Sequence, residues 1–231
     1  MQLDFEGEHG RLYRKRIRAF VPGYTLMHQL AVAALLAHQP QPRQLLVVGP
    51  GPGEELLAMA QQLPSAQVTV VEPSPAMASA CREALAGLPL LAARVELIEA
   101  PLEASDLGER RFDAVVCHNV LHVLPQEQHR LLLEQLARCV APGGCLILSA
   151  YSEENESRVV SLRRRVMRQR LNLVGLSPAN SDRIMAGRGE AYMPLDPELL
   201  RRWAEDTGLE EPVPLMQVLQ HRLWLVLRPS S

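Results

Sequence analysis

Val47-Val48-Gly49-Pro50-Gly51-Pro52-Gly53-Glu54-Glu55 joins an apolar β-type run, beginning at Leu45, to a segment whose apolar residues return at helical spacing through Leu56, Leu57, Met59, Ala60 and Leu63. This is strand, glycine turn, helix. Glycines at such a turn permit positive φ and a close backbone approach to a ligand, at the carboxyl end of a parallel sheet where ligands usually bind. The spacing is G-x-G-x-G rather than G-x-G-x-x-G, and no P-loop lysine with its Ser/Thr follows. Dinucleotide and nucleoside-triphosphate readings lose ground accordingly.

Outward from this turn the same alternation continues. Val68 to Val71 reads as a second strand, ending in Glu72-Pro73-Ser74, and Met77 to Leu85 as a helix stopped by Gly87. Glu72 therefore stands at the tip of the neighbouring strand, where a carboxylate can accept from both hydroxyls of a ribose. Val95 to Ile98, Asp113 to Cys117 and Cys145 to Ala150 are further strands; a helix from about Pro125 to Val140 and a Pro142-Gly143-Gly144 turn precede the last. Apolar strands separated by helices predict a mostly parallel sheet buried on both faces. After Tyr151 a polar stretch leads to a helix over Val159 to Leu173, a Gly/Pro-rich stretch from Gly175 to Pro197, a short helix to Thr207, and one or two closing strands between Val213 and Leu227. Arg11 to His38 reads as helical, broken at Pro22-Gly23.

The expected architecture is a doubly wound, mostly parallel sheet of about seven strands, the last antiparallel, in a single domain spanning 1–231. Residues 1–40 form a helical lid, 41–150 the ligand-binding core, and 151–231 a helical insertion with the closing strands. Such a length suits one compact domain. Hydrophobic residues at 47% and charged residues at 22% are ordinary for a globular chain, which argues against wholesale disorder. A net charge of −2 with three Phe and two Trp offers neither a positive field nor a stacking platform for bases, which argues against nucleic acid. Cys81, Cys117, Cys139 and Cys145 have neither C-x-x-C pairing nor zinc-ligand spacing, so no metal is expected. The acidic residues Asp4, Glu6 and Glu8 do not suit a secretory signal, and the apolar run Leu30 to Ala37 is too short to span a bilayer. The expectation is a cytoplasmic protein with reduced thiols, acting on a small molecule away from membranes, with a homodimer as the one assembly considered.

From Leu45 to Ala150 the chain resembles the class I S-adenosylmethionine-dependent methyltransferases. Val47 to Gly53 looks like that family's glycine loop, Val68 to Glu72 like its ribose-binding strand, Phe112 to Leu124 like its fourth strand and following helix, and Ala141-Pro142-Gly143-Gly144 like the turn before the fifth strand. Arg18-Ala19-Phe20-Val21-Pro22-Gly23-Tyr24 and Ser74-Pro75-Ala76-Met77 are similar to segments of the carboxy-S-adenosylmethionine synthase-like branch. The resemblance implies S-adenosylmethionine as methyl donor or as substrate, held by Gly49, Gly51, Gly53, Glu72 and Pro73. Two departures stand out: Val47 replaces an Asp usual near the methionine end, and Pro101 replaces an Asp that receives the adenine amino group, a role open to Glu99 or Glu103.

For chemistry the candidates are Tyr24, His118 and Asn119. His118 or Asn119, at the exit of the fourth strand, could face the reacting atoms, and His118 could take a proton near neutral pH. Tyr24, in a segment that by resemblance covers the cofactor, could lay its ring against a sulfonium. His122 falls among Val120, Leu121, Val123 and Leu124 and reads as a packed histidine. The arginines from Arg163 to Arg170 read as the solvated face of a helix whose apolar side carries Val159, Leu162, Val166 and Leu173. Arg183, Arg188 and Tyr192 lie near where the resembling branch holds a carboxylate with an arginine, and are expected to bind substrate. Methyl transfer is the leading reaction. The alternatives use S-adenosylmethionine itself, cyclised to azetidine-2-carboxylate and methylthioadenosine or converted to carboxy-S-adenosylmethionine. A non-catalytic nucleotide-sensing or RNA-binding module is a weaker third reading.

Overall fold

The computed structural model describes Glu6 and residues 16–230. Its centre is a seven-stranded sheet in the order β3-β2-β1-β4-β5-β7-β6. The strands are β1 (Gln44–Val48), β2 (Gln67–Val71), β3 (Val95–Ile98), β4 (Phe112–His118), β5 (Val140–Tyr151), β6 (Val213–Val218) and β7 (His221–Leu227). β1 to β5 pair in parallel, and β7 runs antiparallel to both β5 and β6. The doubly wound sheet and its antiparallel closing strand are thus as the sequence implies.

Residues 16–20 are helical, and among the described residues eight further α-helices flank or follow the strands: α1 (Tyr24–His38), α2 (Glu54–Gln62), α3 (Pro75–Ala86), α4 (Pro89–Ala92), α5 (Gln126–Cys139), α6 (Arg158–Leu173), α7 (Pro178–Ala186) and α8 (Pro197–Asp206). The apolar strand runs are explained by burial on both faces. Leu45 and Val47 join Met27, Leu35, Leu56, Met59 and Cys81 from α1 to α3. Leu46 and Val48 join Leu133, Leu136, Leu200 and Ala204 from α5 and α8. Alternate side chains of one strand serve two cores, so a continuous apolar run is what such a strand requires.

Three sequence expectations are corrected. The Gly/Pro-rich stretch after Gly175 contains a helix, α7, because Ser177 caps it by accepting from the Asn180 amide and Pro178 occupies its first turn. Pro142-Gly143-Gly144 lies within β5 as an irregularity: the register shifts between Phe112 and Ala114, and a Cβ on Gly144 would come within 2.8 Å of the Asp113 carbonyl. The third correction concerns α6. Val160, Met167 and Leu171 are its buried residues, whereas Val159, Leu162, Val166 and Leu173 are exposed. The reason is electrostatic. Glu153, just beyond β5, is buried, and Arg164 reaches it at 2.6 Å; Arg170 donates to the carbonyls of Ala19 and Arg18. A buried carboxylate must be paired, and that demand turns Arg164 inward, while Arg170 is held by the two backbone carbonyls.

Candidate functional site

The strand order reverses direction between β1 and β4, leaving a crevice at their carboxyl ends. A cavity of about 820 Å³ opens there, within the range of small-molecule sites. One wall is backbone. Gly49 and Gly51 have φ of 65° and 57°, and a Cβ on Gly49 would lie 2.5 Å from Val120 Cγ2, so only glycine fits. The Gly51 amide donates to Glu72 Oε2 at 2.9 Å and the Ser74 amide to Oε1 at 3.0 Å. Burial raises the Glu72 carboxyl above its ordinary pKa, and these two amide bonds act against that rise. A carboxylate offers about four acceptor positions, so two remain for a diol entering from the cavity that Glu72 and Pro73 line. Asn119 adds a further acceptor. It sits at φ 59°, its amide donates to the Ser149 carbonyl, and its side-chain Oδ1 is buried without a hydrogen-bond partner.

These features fit S-adenosylmethionine: an amide-lined glycine cradle, a carboxylate with spare lone pairs, and an orphaned amide oxygen at the next strand end. His118 also lines the cavity, its Nδ1 3.0 Å from Ser149 Oγ. Burial, with His28 nearby, pushes its pKa down to about 3, so it stays neutral rather than titrating near pH 7 as expected from sequence.

A second part of the lining is made of side chains from distant parts of the chain. Tyr151 on β5 and His221 on β7 are partners in the antiparallel ladder, with rings 5.4 Å apart. Tyr192 lies 5.0 Å from the Tyr151 ring, and His122 is 6.4 Å from both Tyr151 and His221. All four line the cavity. The Tyr151 amide donates to His122 Nδ1 at 3.1 Å, and its hydroxyl donates to Glu153 Oε1 at 2.9 Å. Burial, then His221 and His129, lowers the His122 pKa to about 3.

Several sequence-predicted site residues are placed elsewhere. Gly53 is the N-cap of α2, and a Cβ there would meet Cys81 Sγ at 2.9 Å; its smallness serves helix packing, and it does not line the cavity. Glu99 pairs with Arg82 at 2.7 Å outside the cavity, which Glu103 lines instead. Arg188 is taken by Glu153, whereas Arg183 reaches the cavity wall together with Tyr192. Tyr24 is buried in the core against His28, ring centroids 4.3 Å apart, so the cavity-facing residues of its segment are Arg16, Ile17, Phe20 and Val21. Sequence reading took His122 as packing and missed His221 and Tyr151. Their signal is a strand register, which no local motif carries. Among the described residues no group of three or more His, Cys, Asp or Glu could hold a metal, and no helix is long and apolar enough to cross a membrane.

Residues 45–144 match the methyltransferase domain family. Similar sequences include a carboxy-S-adenosyl-L-methionine synthase of Ectopseudomonas mendocina, 31% identical over 145 residues, covering 60% of this chain and 58% of that protein. A trans-aconitate 2-methyltransferase of Methylobacterium radiotolerans is 38% identical over 116 residues, 49% of this chain and 41% of that one. The chain thus spans about half the length of these relatives. Among solved structures, magnesium protoporphyrin IX methyltransferase from Synechocystis with bound S-adenosylhomocysteine superposes with a TM-score of 0.70 at 17% identity, covering 97% of each chain.

Proposed function

Because residues 45–144 match the methyltransferase domain family, we propose that the chain is a class I S-adenosylmethionine-dependent methyltransferase that binds S-adenosylmethionine at the β1–β4 crevice and transfers its methyl group to a small molecule in the same cavity. The observation that carries this reading is continuity: Gly49, Gly51 and Glu72 line the same cavity as Tyr151, Tyr192, His122 and His221. Bound there, S-adenosylmethionine supplies a methyl group on a positively charged sulfur. The protein's part is positioning. Glu72 would hold the ribose diol, the Gly49 to Gly51 backbone would lie along the ligand chain, and Asn119 Oδ1 would accept from a polar group near the reacting end. The segment around Phe20 would exclude water. Alignment and desolvation supply much of the rate of such a displacement, so the lack of a base near pH 7 at His118 is no obstacle. We propose further that residues 1–231 act as one ligand-binding unit, with Arg16 to Val21 as its cover.

A second reading has its own support. Similarity to carboxy-S-adenosyl-L-methionine synthases, together with a guanidinium at Arg183 on the cavity wall, suits chemistry in which S-adenosylmethionine is itself converted. One experiment separates the readings. The protein is incubated with S-adenosylmethionine, with and without a metabolite extract, and the products are weighed by mass spectrometry. Adenosylhomocysteine formed only with extract supports methyl transfer. Methylthioadenosine without extract, or a carboxylated sulfonium, supports the second reading, and binding without turnover overturns both.

A further inference from the structure

We propose that the outer face of α6 is a docking site for an acidic amphipathic helix of another protein, which seats along Val159, Leu162, Val166 and Leu173 and gives its carboxylates to the arginines beside them. This inference is independent of the chemistry proposed for the cavity. It begins with spacing. Val159, Leu162, Val166, Gln169 and Leu173 follow one another at alternating intervals of three and four residues, the a and d positions of a heptad. The core uses other residues of the same helix. Val160, Met167 and Leu171 are buried, whereas Val159 is 55% exposed, Leu162 50%, Val166 46% and Leu173 87%. Single exposed aliphatics are ordinary on a protein surface, but four in one register along one helix form a continuous stripe.

The width of the stripe and the charges beside it select the occupant. At about 100° per residue the four side chains fall within an arc of about 60°, narrower than the broad apolar face a helix lays on a core or a lipid surface and suited to the seam between two helices. The positions bordering that seam, e and g of the heptad, are Arg158, Arg163, Arg165, Arg170 and Asn172. A second copy of this chain would therefore set arginine against arginine. In a parallel pair Arg158 meets Arg163 and Arg165 meets Arg170, and in an antiparallel pair each flank meets its own kind. An acidic helix meets the opposite charge at every one of these places. Two of the arginines are already engaged, Arg163 with Glu154 at 3.1 Å and Arg170 with the carbonyls of Ala19 and Arg18. Arg158 and Arg165, one heptad apart on one flank, are exposed, and among the described residues no carboxylate pairs with either. Carboxylates seven residues apart on the partner helix would engage both.

The test uses two labelled synthetic peptides of about three heptads, each with Leu at a and d, one with Glu at e and g and the other with Lys there. Fluorescence anisotropy is measured with the full chain as wild type, as Leu162→Ser with Val166→Ser, and as Arg158→Glu with Arg165→Glu. All four substituted side chains are exposed, so urea midpoints should be unchanged and report that each variant is folded. The wild type should bind the Glu peptide in the micromolar range and prefer it to the Lys peptide by about tenfold or more, a preference that shrinks in high salt. The two serines should weaken binding by about tenfold, and the two glutamates should turn the preference toward the Lys peptide. A wild type that binds neither peptide, or both equally, overturns the proposal, as does binding that survives the two serines. Cosedimentation with phosphatidylglycerol vesicles that the two serines abolish would assign the face to a lipid surface instead. A concentration-dependent dimer in sedimentation velocity, abolished by the same pair, would assign it to a second copy, and either result overturns the proposal.

Discussion

The two walls of the cavity are built on opposite principles. The cradle of Gly49, Gly51 and Glu72 lies within one strand-turn-helix-strand unit, and its internal bonds are amides donating to a single carboxylate. The second draws His122, Tyr151, Tyr192 and His221 from four separate elements or loops, held by side-chain bonds and a strand register. A wall made of backbone is specified by a few consecutive residues and tolerates little change at them. A wall made of side chains can be altered one residue at a time, which suits the half of a site that must match a particular substrate.

If that contrast holds, the largest effect should come from the scaffold of the side-chain wall. Burial alone would raise the Glu153 carboxyl, and the bonds from Arg164, Arg188 and Tyr151 together hold it below the ordinary carboxylate range. Glu153→Ala leaves Arg188 and the Tyr151 hydroxyl without that partner and Arg164 with Glu156 alone, and should cost about 3 kcal/mol of stability, the lower end for a broken buried pair because both arginines reach solvent. Urea unfolding measures it. A change below about 1 kcal/mol would mean that this wall is held by packing alone.

Glu72→Ala should weaken adenosylhomocysteine binding by roughly 2–3 kcal/mol, through the lost diol bonds and the released Gly51 amide, with stability less affected. Calorimetry checks this, and an unchanged affinity would remove Glu72 from the site. Next comes pH. His118, His122 and His221 are held at about 3, 3 and 4 against an ordinary 6.5, so the unfolded chain binds protons that the native state refuses. Their stabilisation is complete above pH 6.5 and is lost as pH falls toward 4, at up to about 1.4 kcal/mol per pH unit for each ring. Glu55 and Glu72, raised by burial, take up protons earlier in the native state and offset part of that loss. His221→Asn should reduce the acid slope of urea midpoints by close to one proton, and an unaltered slope would show that His221 is protonated in the native state.

The smallest effect concerns the cover. Arg170→Met removes the bonds to the Ala19 and Arg18 carbonyls and should cost about 1 kcal/mol, while speeding amide exchange across residues 16–24. Adenosylhomocysteine should slow exchange there in the wild type. Exchange indifferent to both would leave Arg16 to Val21 a docked segment with no part in closure.

The parallel sheet and the backbone wall were legible from sequence because their determinants are short-ranged: apolar runs of strand length, glycines where φ must be positive, a carboxylate at a strand tip. Local pattern went wrong on α6, where Val159, Leu162, Val166 and Leu173 recur at helical spacing yet face outward. A buried Glu153 needed Arg164, and the cost of an unpaired charge outweighed the burial of four aliphatic side chains. Tyr24 and His221 show the same limit from two sides. Tyr24 sits in a recognisable segment and packs into the core, whereas His221 sits in no motif and reaches the cavity because antiparallel pairing of β7 with β5 sets it opposite Tyr151. Which residues share a strand or a turn is written in the order of the chain. Which residues face one another across a cavity depends on register and on the pairing of buried charge, and those are decided only when the whole sheet is assembled.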